Sequence, residues 1–398
     1  MLMGAWNEIK LGDLFNIKAG GDLQESSFSK TYSELTPYPV FSNSLINKGL
    51  FGFTSAPRYS RNCITITGRG DLGHAEYRDI EFDAIVRLLV LSPKTDVDCV
   101  FVTYYINGIL KFSIESTGVP QLPAPRVTKK KILIPESIQE QTAIASILTK
   151  VDEAILATQN SIKAAEKLKK ALMQNLLTGK LKTDGTWRTE DEFYMDEKFG
   201  KVPNGWRVMR VKELTNCLDS KRKPIKSEDR SQISGIYRYY GAAGIIDYIN
   251  DFIFNGRYLL FGEDGENLIS RKRPQAFIVE GKFWVNNHAH ILESIDGISD
   301  LDYLCYQLES KNYENIVYGS AQPKINKSDL AKIKVLTPVD VNEQNYISHK
   351  LNTFDEIIKN KQNKVETLQR LKKSLMQNLL TGKVRVDVEK ILELCREK

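Results

Sequence analysis

A thirteen-residue segment, LKKALMQNLLTGK at Leu168 to Lys180, returns 203 residues later as LKKSLMQNLLTGK at Leu371 to Lys383. Ser374 in place of Ala171 is the single change. A repeat this strict makes the architecture a pair before any single motif is considered. The correspondence reaches further back. VDEAI (Val151 to Ile155) matches FDEII (Phe354 to Ile358), and IPESIQEQ matches TPVDVNEQ, aligning Pro135 with Pro338 and Glu140-Gln141 with Glu343-Gln344. At the front, WNEIKLGDL matches WRVMRVKEL, aligning Trp6 with Trp206 and Leu14 with Leu214. Between these anchors the match fades. The chain therefore reads as two tandem units, about 1–182 and 200–398, each with a variable globular part and a near-invariant helical part.

The helical parts carry a heptad-like period. Apolar positions run Ile144, Leu148, Val151, Ile155, Ile162, Ala165, Leu168, Leu172, Leu176, skipping Thr158. The second copy runs Ile347, Leu351, Phe354, Ile358, Val365, Leu368, Leu371, Leu375, Leu379, skipping Lys361 at the matching place. A 3.5-residue spacing held this long argues for a coiled coil. Pro135 and Pro338 precede the helices, while Gly179 and Gly382 follow as stops. Roughly 38 residues at ~1.5 Å each predict a rod of about 57 Å. Two amphipathic helices packed on their own domains remain the alternative, but the matched polar breaks favour pairing of the two rods.

The globular parts predict a mixed α/β fold rich in strands. CITITG (Cys63 to Gly68) and FDAIVRLLVLSP (Phe82 to Pro93) are strand-like, and VFVTYYINGILKFSIES (Val100 to Ser116) is helical. In the second unit, RYLLFGEDG (Arg257 to Gly265) and QAFIVEGKFWVNNHAHIL (Gln275 to Leu292) predict strands, and LDYLCYQLES (Leu301 to Ser310) a helix.

Enzymatic equipment is missing. There is no GxxxxGK[ST], since Gln174 stands where the first glycine would be. Neither a GxGxxG after a strand nor an Asp/Asn-Pro-Pro-aromatic stretch is present. His288 and His290 would lie on one face of a strand, but no Cys or His nearby completes a metal shell. That favours a structural role, and no metal site is expected. Glu280-Gly281-Lys282 with Asp264 upstream resembles a nuclease E-x-K site only faintly and has no counterpart in the first unit. Five scattered cysteines without CxxC suit reduced thiols and a cytoplasmic setting. No run of 18 apolar residues spans a membrane, and the N-terminus has no signal-peptide pattern. The net charge of +6 fits either a solvated basic surface or a polyanion binder, with clusters at RVTKKK (Arg126 to Lys131), KRKPIK (Lys221 to Lys226) and RKR (Arg271 to Arg273). The chain reads as a reader or adaptor without catalysis of its own.

Duplicated variable domains, each trailed by a helix ending LMQNLLTGK, resemble the specificity subunit of type I restriction–modification enzymes. The carriers are Trp6 and Trp206 in their openings and the stretch from Tyr239 to Gly265. The turns GVPQLP and GSAQPKI and the two Pro-then-EQ helix starts complete them, all in duplicated order. The resemblance implies two target recognition domains, each reading half of a split, asymmetric site in double-stranded DNA. It implies an antiparallel coiled coil, related by a pseudo-twofold, that sets the gap and docks two modification (methyltransferase) subunits. Those partners would bring S-adenosylmethionine, and restriction (motor–nuclease) subunits would bring ATP and Mg; this chain itself would hold no cofactor. The implied boundaries are 1–135 and 183–338 for the recognition domains, the latter with a linker at 183–200. The repeated helices take 136–182 and 339–383, and the tail 384–398 is expected to close against the N-terminus. Base edges are read by Arg, Asn, Gln, Asp or Glu, and phosphates by Lys and Arg. On that ground the strand-end loops nominate Asn43, Lys48, Arg69 and Asp71 in the first domain. In the second they nominate Lys221, Arg222, Glu263, Asn267 and Lys324. The competing reading for each is a solvated surface residue. For the whole chain the competing readings are a coiled-coil protein scaffold and a stand-alone DNA-binding regulator.

Overall fold

The computed structural model describes residues 5–112, 120–265, 267–314 and 324–396. Parts of GVPQLP and GSAQPKI lie outside these residues. The helix expected over Val100 to Ser116 ends already at Gly108; residues 109–112 are not helical, and 113–116 lie outside the described residues. The chain forms two compact units, residues 1–160 with 361–398, and residues 161–360. Both long helices, Ile138–Leu176 and Val341–Leu379, run from one unit into the other. At 39 residues each they are about 58 Å long.

In unit 1, two four-stranded sheets build the globular part. One orders its strands Phe15–Ala19, Leu89–Pro93, Cys63–Ile66, Ala75–Arg78; the other Phe28–Ser29, Leu50–Thr54, Tyr38–Phe41, Asp83–Ala84. Unit 2 has one six-stranded mixed sheet, ordered Thr215–Cys217, Ala289–Ser294, Phe254–Gly262, Ala276–Val285, Ser234–Gly241, Gly244–Ile249. The run from Phe82 to Pro93 is therefore two strands of different sheets rather than one, split by a turn at Val86-Arg87.

The repeated sequence anchors have matched tertiary work in the two units. The strand Trp6–Lys10 pairs antiparallel with Lys131–Pro135, and Trp206–Arg210 with Lys334–Pro338, placing Trp6 opposite Pro135 and Trp206 opposite Pro338. Each domain thus begins and ends on one ladder beside the start of a long helix. Gln141 donates to the Pro135 carbonyl (2.8 Å) and accepts the Asp98 N–H (2.9 Å) at the helix Cys99–Gly108. Gln344 does the same for Pro338 (2.9 Å) and Asp300 (2.8 Å) at Leu301–Glu309.

Within unit 1 the first half of one long helix meets the last half of the other, and unit 2 holds the converse pair, so the helices are antiparallel. Asp152 accepts from Lys372 (2.7 Å) and from the Tyr104 hydroxyl (2.8 Å). Asp355 accepts from Lys169 (2.5 Å) and from Tyr306 (2.6 Å). Each trio ties both helices to their domain, which explains the first Lys of the LKK that opens the repeat in both copies. Gly179 (φ 66°) and Gly382 (φ 68°) take the left-handed conformation after the helices, where a Cβ would come within 3.2 Å of the Trp206 and Trp6 rings respectively. Arg188 lies over Trp206 and pairs with Glu343, as Arg385 lies over Trp6 and pairs with Glu140. The tail thus packs beside the N-terminal strand, with Val386 against the unit 1 core, before its own helix Val388–Arg396.

The apolar row is partly corrected. Ile144, Leu148, Leu176, Ile347, Leu351, Ile358 and Leu379 are buried, while Val151, Ile155, Leu172, Phe354 and Leu375 are half-buried. Leu168 and Leu371 are not in the seam: they are 52% and 46% exposed. Towards their ends the helices turn the next face inward, so that Leu176 and Leu177 pack on Trp206, and Leu379 and Leu380 on the unit 1 core. Thr158, skipped by the apolar period, is buried with its hydroxyl donating to the Ala154 carbonyl at 2.7 Å. Among the described residues, no helix is long and apolar enough to cross a membrane.

Candidate nucleic-acid interface

In unit 1, four segments meet where the strands end. The loop after Cys63–Ile66 carries Gly68, Arg69 and Asp71, and Arg69 bridges to Gln121. Asn43 joins this loop to the next turn: its Oδ1 accepts the Gly68 N–H at 2.7 Å, and its Nδ2 donates to the Val86 carbonyl at 2.5 Å. The Asn43 amide is thereby committed to bracing the loops. Asp71 is exposed, and Arg69 is half-buried with an Nε that finds no acceptor among the described residues. Lys48 is exposed in a left-handed backbone (φ 53°), with its Nζ 4.0 Å from Glu76. Arg87, which motif reasoning passed over, stands exposed on the neighbouring turn.

The matching segments of unit 2 bring three of the five nominated residues into one ion-paired cluster. Glu263 accepts from Arg222 (3.0 Å) and Lys324 (2.9 Å), and Arg222 also reaches Asp219 (3.2 Å) and the Ala289 carbonyl (3.0 Å). Backbone bonds lock the same place: the Glu263 N–H donates to the His288 carbonyl and the Ile325 N–H to the Glu263 carbonyl, both at 2.8 Å. Lys221 is exposed beside them. Asn267 has a different task, closing its own loop through the Arg273 backbone (2.8 and 3.0 Å) and Gln275 (3.1 Å).

The two histidines separate. His290 is buried in its strand, with Nδ1 2.6 Å from Asp219 and Nε2 2.9 Å from the Ile325 carbonyl. His288 precedes the strand instead of lying on it, and its Nδ1 is 2.7 Å from Asp264. Cys217, Asp219 and His290 come within metal-ligand reach of one another. Both nitrogens of His290 already face acceptors, however, and Arg222 puts a positive charge beside Asp219. This is the satisfied polar core of the loop cluster.

Burial pushes the Asp219 and Glu263 carboxyls up, but their hydrogen bonds and neighbouring charges outweigh it. His290, the Ile291 N–H and Arg222 hold Asp219 below the usual carboxylate range, and Lys324 and Arg222 do so for Glu263. A carboxyl depressed in the folded state contributes stability above its unfolded value, about 4, and loses it as pH falls through its folded value. Unit 2 is therefore expected to melt at lower temperature as pH drops from about 5 to about 3. Glu263→Gln should flatten part of that fall, as a pH series of melting curves would reveal; parallel curves for variant and parent would remove Glu263 from the effect.

Comparison with known proteins adds the family. The model for the type I restriction modification DNA specificity domain matches twice, over residues 3–167 and 203–368. The chain is similar to the type I restriction enzyme MjaVIII specificity subunit of Methanocaldococcus jannaschii, 26% identical over 310 residues, 70% of this chain and 68% of that protein. It is also similar to the putative type I restriction enzyme specificity subunit S.HindORF215P of Haemophilus influenzae. That match is 32% identical over 126 residues, 32% of this chain and 31% of that protein. Among solved structures, the S subunit of a type I restriction-modification system from M. genitalium has a similar fold, with a TM-score of 0.66 at 17% identity, covering 94% of this chain and 96% of that one.

Proposed function

Since this chain belongs to the type I restriction–modification DNA specificity family, we propose that it is a non-catalytic reader of a split, asymmetric DNA site. Each recognition domain reads one half. The long helices set the gap and dock two copies of a modification subunit, which brings S-adenosylmethionine and methylates adenine; restriction subunits use ATP and Mg to cleave. The observation that carries this reading is the contrast between the units. Their loop clusters hold different chemistry, Asn43, Arg69 and Asp71 against Arg222, Glu263 and Lys324, while their helix ends are spelled alike. Different loops suit different half-sites.

The identical helix ends support two copies of one partner. Internal packing accounts for Lys169, Leu176, Leu177 and Gly179 and their counterparts. It leaves Leu168, Lys170, Gln174 and Lys180 exposed, and these recur, also exposed, as Leu371, Lys373, Gln377 and Lys383. Solvent does not require identity at such positions, whereas one ligand bound twice does.

Expressed with a modification subunit, the chain is expected to leave a host genome methylated at one split motif with two unlike halves. Purified alone, it should transfer no methyl group and hydrolyse no ATP. A continuous or palindromic motif from methylome sequencing, or turnover by the partner-free chain, would refute the reading.

A further inference from the structure

The turn joining Asp83–Ala84 to Leu89–Pro93 holds two consecutive residues, Val86 (φ 54°) and Arg87 (φ 61°), in the left-handed region. Hairpins with this backbone ordinarily use Asn-Gly, because a side chain there is strained and a β-branched one more so. Strain persists only where the surroundings over-determine the backbone, and here they do. The Val86 N–H donates to the Gly21 carbonyl (3.1 Å), Arg87 N–H to Gly20 (3.3 Å), Leu88 N–H to Ile85 (3.1 Å) and Gly20 N–H to Leu88 (2.7 Å). The Asn43 amide holds the Val86 carbonyl from the other side at 2.5 Å. Gly68, at the root of the Arg69–Asp71 loop, packs so closely that a Cβ would sit 3.0 Å from the Arg87 carbonyl oxygen. All this restraint fixes the backbone and none of it uses the Arg87 side chain, which is exposed and makes no hydrogen bond or ion pair with any described residue. Its neighbour Val86 is 49% exposed as well.

Unit 2 has a turn at the equivalent place, between Ala276–Val285 and Ala289–Ser294. Aligning FDAIVRLLVL with FWVNNHAHIL, from Phe82 on Phe283 to Leu91 on Leu292, puts Arg87 on His288. His288 is also presented on a braced turn. Its N–H donates to the Asn286 side chain at 2.8 Å, and its ring Nδ1 meets Asp264 at 2.7 Å. A carboxylate on Nδ1 sets the ring's orientation and tautomer, and Nε2 has no partner among the described residues. One polar side chain per unit, at one position of the fold, is thus held rigidly at its base and left free at its tip.

We propose that Arg87 and His288 are base-reading residues, each contacting a base edge in the half-site of its own unit. This rests on the functional reading above and names residues within it. A phosphate contact needs only a mobile cation, whereas a base contact needs a donor set at fixed height and angle, which a pinned turn supplies. Arg87 presents the fork that suits guanine N7 and O6, with Val86 beside it to meet an apolar edge; His288 presents Nε2.

The test uses the full chain assembled with its modification subunit, carrying Arg87→Ala, Arg87→Lys or His288→Ala, with the methylated motif determined for each. Both Arg87 variants are expected to relax one guanine position in one half-site and to slow methylation at the original site by roughly ten- to hundred-fold. The other half and the gap should stay intact. His288→Ala should relax one position in the opposite half. Melting temperatures serve as the folding control, and Arg87→Lys keeps the charge while removing the fork. An unchanged motif would overturn the proposal. So would weakening uniform across sequences, with the motif intact and a shallower salt dependence, since that is the signature of a phosphate contact. If the unaltered complex shows no split motif, the functional reading itself has failed; a split motif indifferent to both residues fails this proposal alone.

Discussion

A chain with four residues inserted after Thr158 and four after Lys361 is expected to direct methylation to a site with unchanged halves and a gap about one or two base pairs longer. Both long helices pass without a break through these positions, which correspond between the two copies. Four residues add about one turn, ~6 Å, against ~3.4 Å for a base-pair step. They exceed the 3.5-residue period by half a residue, so the apolar face turns by only about 50°. Two-residue insertions turn it by about 200°, carrying buried positions beyond them such as Val365 away from the seam, and should abolish assembly. The loops proposed to read the bases are untouched in either design. The readout is the methylated motif of each variant, and an active four-residue variant with its original gap would show that something other than these helices sets the distance.

Exchanging residues 1–135 for the corresponding part of another family member is expected to replace one half-site wholesale and leave the other as it was. The boundary is favourable because the ladder between Trp6–Lys10 and Lys131–Pro135 stays within the exchanged part. Several contacts cross it, and those to the domain's helix Cys99–Gly108 must be kept by the incoming domain. Among them are the Asp98 N–H on Gln141, the Asp98 carboxylate that accepts from Thr142, and the Tyr104 hydroxyl on Asp152. An incoming domain lacking the tyrosine should assemble less well without changing the motif of the retained half. Methylome sequencing decides: alteration of both half-sites would end the two-reader model.

Much of the candidate interface was legible as a region and little of it as residues. Loops between strands announce themselves by composition, and Asn43, Arg69, Asp71, Arg222, Glu263 and Lys324 do lie where such loops gather. What each side chain does there depends on partners far along the chain. Asn43 meets Val86, and Arg222 meets Glu263. Asn267 looks like a loop polar group and is a local brace. Arg87 was hidden inside an apolar run that reads as one strand, FDAIVRLLVL, because period alone does not reveal that two residues turn left-handed in its middle. The alignment of that run with FWVNNHAHIL was the available signal, since one copy carries the turn residues Asn286 and Asn287 openly.

The sequence by itself determined that the molecule is double, where its long helices start and stop, and that its domains mix strands and helices. These properties follow from near neighbours: a repeat, a 3.5-residue spacing, a proline before and a glycine after. It also held the pairing of the rods, as matched breaks in matched rows. Only the tertiary structure decided which repeated residues face inward. Lys169 and Lys372 read as surface charges, yet each is held by an aspartate of the other helix beneath a tyrosine of the domain. Leu168 and Leu371 read as seam, yet stand half exposed, because the last turns rotate another face against Trp206 and against the unit 1 core. Helical spacing states which residues share a face. Which of two available partners buries that face is settled by packing, where the larger apolar area removed from water prevails.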